Sequence, residues 1–454
     1  MRQIDFKKYD MEQSYSNKQI WKVSYPIILS LLAQNVINLT DTAFLGRVSE
    51  IALGAAALGG LYYICLFTVG FGFSVGSQIV VARRNGQKQH QEIGAIVLQG
   101  IIFLQLLALL FYALSVWLGK DIMTFIISSD QVLDATMEFL HWRVFGFFFA
   151  FINVMFRAFY IGIARTKVMT LNAVVMAIVN IILDYALIFG NFGFPELGIK
   201  GAAIASVIAE LSSVLFFIIY TIATVDLKKY GFQNYQHVVD IKQLKAILKI
   251  SSFTMLQYFL STGSWFIFFM AVERLGQREL AIANIVRSIY ILMLIPVNSL
   301  STTANSLVSN LIGEGGVHHV EKLIRKIAKV SLFIMIGLIL LVVIWPEPII
   351  RIYTNSDALI EGAIPSLYII SIAMLIASVS NIVFNSISGT GNTQAALWLE
   401  IITLIFYSLY IIIVGLVLKA SLEICFTVEL VYYSLLLIVS LIYFKKAKWQ
   451  NKTI

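Results

Sequence analysis

Residues 180–210 read NIILDYALIFGNFGFPELGIKGAAIASVIAE, two apolar runs separated by a short segment that contains several glycines and one proline. Extended outward, the two runs become apolar stretches at residues 166–190 and 197–223. A helix needs about 20 apolar residues to cross the hydrocarbon core of a bilayer, and both stretches reach that length. The segment therefore predicts two neighbouring membrane-spanning helices joined by a tight turn.

The rest of the chain repeats this pattern. Of its 454 residues, 59% are apolar and only 13% are charged, and the mean hydropathy is +0.85, which lies outside the range of soluble globular proteins. We predict an all-α polytopic membrane protein with twelve transmembrane helices. They are placed at residues 18–44, 51–80, 92–118, 133–160, 166–190, 197–223, 242–272, 279–310, 321–345, 358–387, 394–418 and 422–444.

The basic residues that produce the formal charge of +8 are distributed according to topology. Most of them fall in segments that are cytoplasmic if the N-terminus lies inside, including Arg83 and Arg84, residues 322–329 and residues 445–452. This is the positive-inside pattern of membrane proteins, and it argues against nucleic acid as a partner. We expect an inner-membrane protein with both termini in the cytoplasm, which requires an even number of spans.

The two halves of the chain resemble each other weakly. Gly86 matches Gly313 and Gly162 matches Gly389, at a constant offset of about 227 residues. Such repeats are typical of secondary transporters with a binding site near the bilayer midplane, here related by a pseudo-two-fold axis along the membrane normal. The predicted organisation is a cytoplasmic N-terminal segment at 1–17, an N-lobe at 18–225, a cytoplasmic linker at 226–241, a C-lobe at 242–444 and a cytoplasmic tail at 445–454.

Two polar stripes in the N-lobe carry the best candidates for chemistry. Gln34, Asn38 and Asp41 are spaced four and three apart and therefore lie on one face of the first helix. Asn180 and Asp184 are four apart and do the same on the fifth. Placing a charge at the bilayer centre costs at least about 2.5–3.5 kcal/mol, so we expect the two stripes to face each other or a wet cavity.

A pair of buried acids could hold a proton, because apolar surroundings disfavour the charged form of a carboxylate. It could equally hold a sodium ion, since hard cations prefer carboxylate and amide oxygens. The sequence leaves both options open, together with a hydrogen-bonded pair that has only a packing role.

Other polar features inside the predicted helices receive different interpretations. Pro26 removes a backbone hydrogen bond from the first helix and permits a hinge there. Glu210, Arg287, Glu400 and Glu429 are interpreted as snorkelling side chains or members of internal ion pairs, and Glu210 is the one that we would test.

Several other classes of site and protein find no support. Cys65 and Cys425 stand alone in apolar runs, and His318 and His319 lack partners at ligand spacing, so no metal site is predicted beyond a sodium site at the acids. The glycines of residues 70–76 follow no strand and indicate close helix packing rather than a nucleotide loop. We find no nucleophile with a base, no cofactor motif and no filter sequence, which argues against an enzyme or a channel.

The segment at 180–210 closely resembles a signature segment of the multidrug and toxic compound extrusion family. Supporting matches are FLGRVS at 44–49, RAFYIGIARTK at 157–167 and ISGTGNT at 387–393, and the resemblance extends from about Ile20 to Tyr443. It implies export of bulky, often cationic lipophilic compounds, driven by inward movement of protons or sodium ions through alternating access. We expect a monomer that meets its small-molecule substrates and membrane lipids without a cofactor.

The resemblance also suggests site residues. Asp41, Asn180 and Asp184 fall on the N-lobe cation site of the family's archaeal and DinF-like branches, and Ser206 stands where many members carry a threonine. The cavity-lining positions are Gln34, Asn38 and Asn153. Branches with a C-lobe acidic site carry a glutamate on helix seven and an aspartate on helix ten, where this chain has Ser261 or Thr262 and Ser380 or Asn381. We therefore expect coupling in the N-lobe.

One alternative function is a flippase for lipid-linked oligosaccharides or peptidoglycan precursors on a related two-lobe fold. Such a protein would be expected to line its cavity with basic residues that bind a pyrophosphate. Arg143, Arg157 and Arg287 keep this alternative open, whereas the polar stripes carry Asp and Asn.

Overall fold

A computed structural model of the chain describes residues 15–233 and 240–451. Residues 1–14 of the predicted N-terminal segment, residues 234–239 of the linker and residues 452–454 of the tail lie outside the described residues. The helices are α1 (Asn17–Val48), α2 (Glu50–Gly86), α3 (Ile93–Ile126), α4 (Asp130–Arg143), α5 (Gly146–Gly162), α6 (Lys167–Phe189), α7 (Gly198–Thr224), α8 (Ile241–Glu273), α9 (Gln277–Gly313), α10 (Val320–Ile344), α11 (Pro346–Arg351), α12 (Asp357–Gly389), α13 (Thr393–Ile411) and α14 (Leu422–Lys446).

Most of these helices are long and apolar enough to cross a membrane. Within the described ranges, eleven qualify singly, and the bent pair α4 and α5 brings the number to as many as twelve. The predicted spans coincide with these helices, although α2 and α3 continue further, to Gly86 and Ile126. A π-helical turn at Ile412–Val417 extends α13 to nearly its predicted end. The all-helical, membrane-spanning fold class is therefore confirmed.

The fourth predicted span differs from the expectation. A single helix at 133–160 was predicted, but the structure has α4 and α5, which are bent by 52° at a break after Arg143. Gly146 begins α5, and a side chain there would collide with the Arg143 guanidinium and the Glu210 carboxylate. Glycine at residue 146 thus leaves room for two charged side chains in the interior, and the apolar pattern gives no sign of the break.

Helix contacts divide the described chain into two compact units. The N-terminal unit is Tyr25–Met255, and the C-terminal unit joins the described residues before Tyr25 to those from Leu256 onward. Both divisions fall inside helices, α1 and α8, rather than in the linker. The predicted lobes at 18–225 and 242–444 therefore differ from the contact units at these two helices.

The first half of α8 packs against α2 in the N-terminal unit. Thr254 Oγ1 donates a hydrogen bond of 2.7 Å to the Gly72 carbonyl, and Ser251 Oγ donates one of 3.2 Å to the Phe73 carbonyl. A β-carbon at Gly72 would lie only 2.6 Å from the Met255 α-carbon. Glycine is therefore required at residue 72 for this approach, which agrees with the predicted close-packing role of residues 70–76.

The C-terminal unit is held together by α9, α12 and α14. Their buried side chains form one apolar cluster that includes Val286, Leu367 and Val428, each fully buried. The first turns of α1 pack here as well, because Ser299 Oγ donates a 2.7 Å hydrogen bond to the Ser24 carbonyl. Large apolar side chains remain on the outside of both units, as expected for a surface solvated by lipid.

Candidate cation site in the N-terminal unit

Helices α1 and α6 bring three of the predicted site residues together. Asp184 and Asn180 are fully buried on α6, whereas Asp41 on α1 is half-buried. The two carboxyl groups lie close enough to interact directly. One terminal atom of the Asn180 amide lies 3.0 Å from Asp41 Oδ1 and 3.2 Å from Asp184 Oδ2. The two polar stripes therefore face each other, and Asn180 bridges the two acids.

The orientation of the bridging amide depends on what the acids hold. When the amide nitrogen points at the two carboxylates, Asn180 donates a hydrogen bond to each of them. When the amide oxygen points there instead, three oxygens face one another, and a proton or metal cation between them is required. Asp184 Oδ1 is buried and accepts no hydrogen bond from the described residues. The arrangement can thus take up a positive charge by rotating a single amide.

A buried ion pair adjoins the acids. Arg143 forms a two-pronged pair with Glu210, with Nη2 to Oε1 at 2.7 Å and Nη1 to Oε2 at 3.2 Å. The Arg143 guanidinium also stacks 3.6 Å above the Tyr63 ring, and Tyr63 Oη donates to Glu210 Oε1 at 3.3 Å. Glu210 is therefore a member of an internal ion pair, one of the two roles predicted for it.

Acidic side chains outnumber basic ones in this region. Arg143 is close enough to Asp41 to interact with it electrostatically, but its hydrogen bonds go to Glu210. Among the described residues, neither Asp41 nor Asp184 forms a salt bridge. Three carboxyl groups thus share one guanidinium. Because buried charges are stable only when paired, the region has room for additional positive charge.

The remaining predicted residues surround the acids to different degrees. Ser206 is half-buried on α7, and its hydroxyl makes no hydrogen bond to the three bridged residues within the described structure. Gln34 and Asn38 are exposed on α1. Within the described residues, none of these three side chains forms a hydrogen bond to the acids, and their roles stay predictions.

Asn153 is half-buried on α5 and belongs to a hydrogen-bond network. Its Nδ2 donates to the Glu210 carbonyl at 3.0 Å, and its Oδ1 accepts from Ser213 Oγ at 2.9 Å. Asn172 Nδ2 in turn donates to Ser213 Oγ at 2.8 Å. This network links α5, α6 and α7 behind the ion pair, so Asn153 is positioned to hold Glu210 in place.

Pro26 is buried in α1, and its carbonyl accepts a 3.0 Å hydrogen bond from Thr170 Oγ1 on α6. The contact joins the proline turn of α1 to the helix that carries Asn180 and Asp184. A change in the curvature of α1 at Pro26 would therefore displace α6 through this hydrogen bond. The hinge itself stays a prediction.

The interpretation of Glu400 and Glu429 was wrong. Both were expected to snorkel or to form ion pairs, but both are buried, and neither forms a salt bridge among the described residues. Tyrosine hydroxyls donate to each of them instead. A signal was available in the sequence, because Glu400, Thr403 and Tyr407 are spaced three and four apart and form one buried stripe of α13.

Arg287 likewise forms no ion pair within the described residues. Its guanidinium lies 4.9 Å from the centre of the Phe269 ring, and its Nε is buried without a hydrogen-bond partner there. The expected ion pair is therefore absent from the described structure and a cation–π contact is formed instead, whereas snorkelling stays a prediction.

Comparison with known proteins identifies relatives that cover most of the chain. The MatE family profile matches residues 26–186 and 254–417, which together make up well over half of the sequence. The "Probable multidrug resistance protein NorM" of Thermotoga maritima is 25% identical over 399 residues, covering 87% of this chain and 84% of the relative. The protein of the same name from Pasteurella multocida is 25% identical over 414 residues, covering 88% of this chain and 86% of the relative.

Solved structures share the fold. A MOP superfamily transporter from Pyrococcus furiosus superimposes with a TM-score of 0.87 at 18% identity, covering 96% of this chain and 97% of its own. The eukaryotic MATE transporter AtDTX14 gives 0.84 at 16% identity, with 97% of each chain covered. These structures are built from twelve transmembrane helices in two lobes, the architecture predicted for this sequence. The chain therefore belongs to the MatE family of multidrug efflux transporters and is a transporter rather than an enzyme.

Proposed function

We propose that this protein is a cation-coupled antiporter that exports bulky, often cationic lipophilic compounds. A proton or a sodium ion binds at Asp41, Asn180 and Asp184, and its uptake is exchanged for release of the compound by alternating access. The observation that carries the proposal is geometric: two adjoining carboxyl groups in the interior are bridged by one amide and have no salt-bridge partner among the described residues. The names of the relatives, multidrug resistance proteins, support the substrate class.

The geometry suggests how uptake of the cation is linked to the helices. Asp41 is half-buried and accessible, whereas Asp184 is fully buried, so a cation would meet Asp41 first. Neutralising the pair removes the repulsion between α1 and α6 and allows Asn180 to change its partners. Because Thr170 ties Pro26 to α6, the closer approach of the two helices would bend α1 at the proline.

The remaining predicted features fit this mechanism. We propose that Ser206, Gln34, Asn38 and Asn153 line or support the binding region. The protein would act as a monomer in the inner membrane, with lobes at 18–225 and 242–444 and both termini in the cytoplasm.

The flippase alternative is not favoured. Arg143 is neutralised by Glu210, and Arg157 lies 5.0 Å from the centre of the Phe71 ring. Arg287 lies over Phe269 in the other unit. Arg143 therefore offers no free charge to a pyrophosphate, and Arg157 and Arg287 each lie against an aromatic ring within their own unit.

The test is efflux of a fluorescent cationic dye from proteoliposomes under imposed proton or sodium gradients. Wild type should export the dye under one of the two gradients, which identifies the coupling ion. Asp41→Asn and Asp184→Asn should each lower gradient-driven efflux at least tenfold, because the amide side chain carries no negative charge to attract the cation. The matched control is Asp134→Asn, which neutralises an exposed acid on α4 and should leave efflux unchanged.

Each variant should be checked for monodisperse behaviour in detergent before reconstitution. This check ensures that a loss of efflux is not caused by misfolding of the variant. Retained coupled efflux in either Asp41→Asn or Asp184→Asn would refute the proposed coupling site. Transport of lipid-linked precursors, with no dye movement under either gradient, would refute the proposal that the protein exports drugs and would support the flippase alternative.

A further inference from the structure

An open groove lies at the beginning of α10, in a part of the chain that the proposed coupling site does not use. Its volume is about 550 Å³, and its wall combines α10 with the turn before it and the first turn of α1. All of these elements belong to the C-terminal unit. We call it the basic groove, because most of its charged side chains are basic: Lys322, Arg325, Lys326 and Lys329, with His318 and the acid Glu321 beside them.

Two of the lysines have no partner among the described residues. Lys322 and Lys329 are exposed, and neither forms a hydrogen bond or a salt bridge there. Arg325 lies between them and pairs with Glu321 at 3.2 Å, while 78% of the arginine side chain remains exposed. An arginine has five N–H donors, so this pair leaves donors for a further acceptor. The groove therefore presents three exposed basic groups against one acid.

The fourth basic side chain, Lys326, has a partner within the protein. Its Nζ donates a 2.8 Å hydrogen bond to the Tyr15 carbonyl, and Tyr15 Oη donates to Glu314 Oε1 at 3.0 Å. These contacts hold the chain before α1 against α10. The groove is therefore built from two distant parts of the sequence.

The face of α10 that carries the lysines continues as an apolar surface. Its residues are spaced four and three apart, which keeps them on one side of a helix. Phe333 and Leu340 are 71% and 54% exposed, so the apolar part faces outward. Between Lys329 and Leu340 the helix rises about 16 Å, close to half of the roughly 30 Å hydrocarbon core of a bilayer. The whole stripe is Lys322, Lys326, Lys329, Phe333, Ile336 and Leu340.

The two parts of this face match the two parts of a phospholipid. Phosphate oxygens accept charge-assisted hydrogen bonds from ammonium and guanidinium groups. An acyl chain can cover the apolar side chains over the depth of one leaflet. A soluble anion would use the basic groove but would leave the apolar stripe without a role. Basic pockets beside spanning helices attract head groups with several negative charges, because each Lys or Arg adds to the attraction.

We propose that the basic groove binds the head group of an anionic phospholipid and prefers a head group with two phosphates. Lys322, Arg325 and Lys329 bind the phosphates, and the apolar stripe of α10 contacts an acyl chain. This inference goes beyond the proposed function, because it concerns a lipid that binds at the surface of the C-terminal unit and requires no coupling at Asp41 and Asp184.

The test is native mass spectrometry of the purified full chain, released from a neutral detergent in the presence of defined lipids. Tetraoleoyl cardiolipin, which has two phosphates, should bind at least tenfold more tightly than dioleoyl phosphatidylcholine, which has no net charge. Dioleoyl phosphatidylglycerol, with one negative charge, should lie between the two. Equal binding of all three lipids would overturn the proposal, and this comparison needs no variant.

Glycerol 3-phosphate distinguishes a lipid from a soluble phosphate. It carries the phosphate group but no acyl chain, so a tenfold excess should not displace phosphatidylglycerol from the wild-type protein. Displacement at that excess would show that the groove takes a soluble phosphate, and it would overturn the assignment to a lipid.

A triple variant tests the basic side chains. Lys322→Gln, Arg325→Gln and Lys329→Gln together should weaken cardiolipin binding at least tenfold and leave phosphatidylcholine binding within about twofold of wild type. Lys326 is left unchanged, because it holds the chain before α1. A conservative double variant, Lys322→Arg with Lys329→Arg, retains the charge and should bind cardiolipin within about threefold of wild type. Failure of this double variant would indicate a structural role for the lysines and contradict the proposal.

The matched control removes the same charge elsewhere in the same unit. Lys445, Lys446 and Lys448 are exposed at the end of α14 and do not line the groove. Their combined replacement by glutamine should leave cardiolipin binding as in wild type. Equal losses in the two triple variants would assign the binding to overall surface charge and overturn the proposal.

The outcomes are separable from those of the proposed function. Asp41→Asn and Asp184→Asn should bind cardiolipin as wild type does even if they lose efflux. If the coupling site is wrong but the basic groove is right, these two variants will transport normally and the triple variant in the groove will still lose cardiolipin binding.

Discussion

The ion pair of Arg143 and Glu210 offers a quantitative test of how the N-terminal unit is stabilised. Both side chains are largely buried, with 14% and 7% of their surfaces exposed, and two hydrogen bonds join them. Replacing Arg143 with methionine would retain much of the side-chain volume and leave Glu210 buried without a cation. Removing one partner of a buried pair typically costs about 3–5 kcal/mol. We therefore expect Arg143→Met to lower the free energy of unfolding by that amount.

A double variant separates the cost of the orphaned charge from the value of the pair. In Arg143→Met with Glu210→Leu, neither charge remains, and apolar replacement of a buried ion pair is often close to neutral in stability. The double variant should therefore recover most of the stability that the single variant loses. The exposed pair of Arg325 and Glu321 on α10 is the matched control. Arg325→Met should cost less than about 1 kcal/mol, as surface pairs do.

The measurement is equilibrium unfolding in mixed micelles of denaturing and non-denaturing detergent, followed by tryptophan fluorescence. The reasoning would be refuted if Arg143→Met were within about 1 kcal/mol of wild type, which is the value of an exposed pair. It would also be refuted if the double variant were no more stable than the single one, because the loss would then come from packing or from the Tyr63 contact.

Two further predictions concern helix packing and bending. Gly72→Ala should lower the free energy of unfolding by about 1–3 kcal/mol, because its β-carbon would meet the backbone of α8. Gly60→Ala on the same helix is the control, because its β-carbon would face open space and should not destabilise the protein. Unfolding in mixed micelles measures the stability of both variants. Pro26→Ala should fold normally but lower gradient-driven dye efflux, because alanine supplies the backbone N–H that proline lacks and so stiffens α1 at this turn. Efflux equal to wild type in Pro26→Ala would exclude the hinge.

The sequence by itself determined the fold class and the positions of the spans. An apolar run of some 20 residues in a chain of this composition has few alternatives to a spanning helix, because each backbone polar group in lipid must be satisfied within the segment. It also indicated that Asp41, Asn180 and Asp184 lie together, because stripes at helical spacing that end in carboxylates are costly in lipid. Their function as a coupling site stays a prediction.

Only the tertiary structure decided how the other charges are used. Glu210, the partner of Arg143 beside the break between α4 and α5, lies 67 residues further along the chain, and no local pattern specifies that pairing. The settings of Glu400 and Glu429 were hidden for another reason: tyrosine is counted with the apolar residues in the composition, although its hydroxyl can hold a buried glutamate from 139 positions away. Lipid solvates apolar side chains as well as protein does, so hydropathy locates the helices but cannot show which of their faces meet.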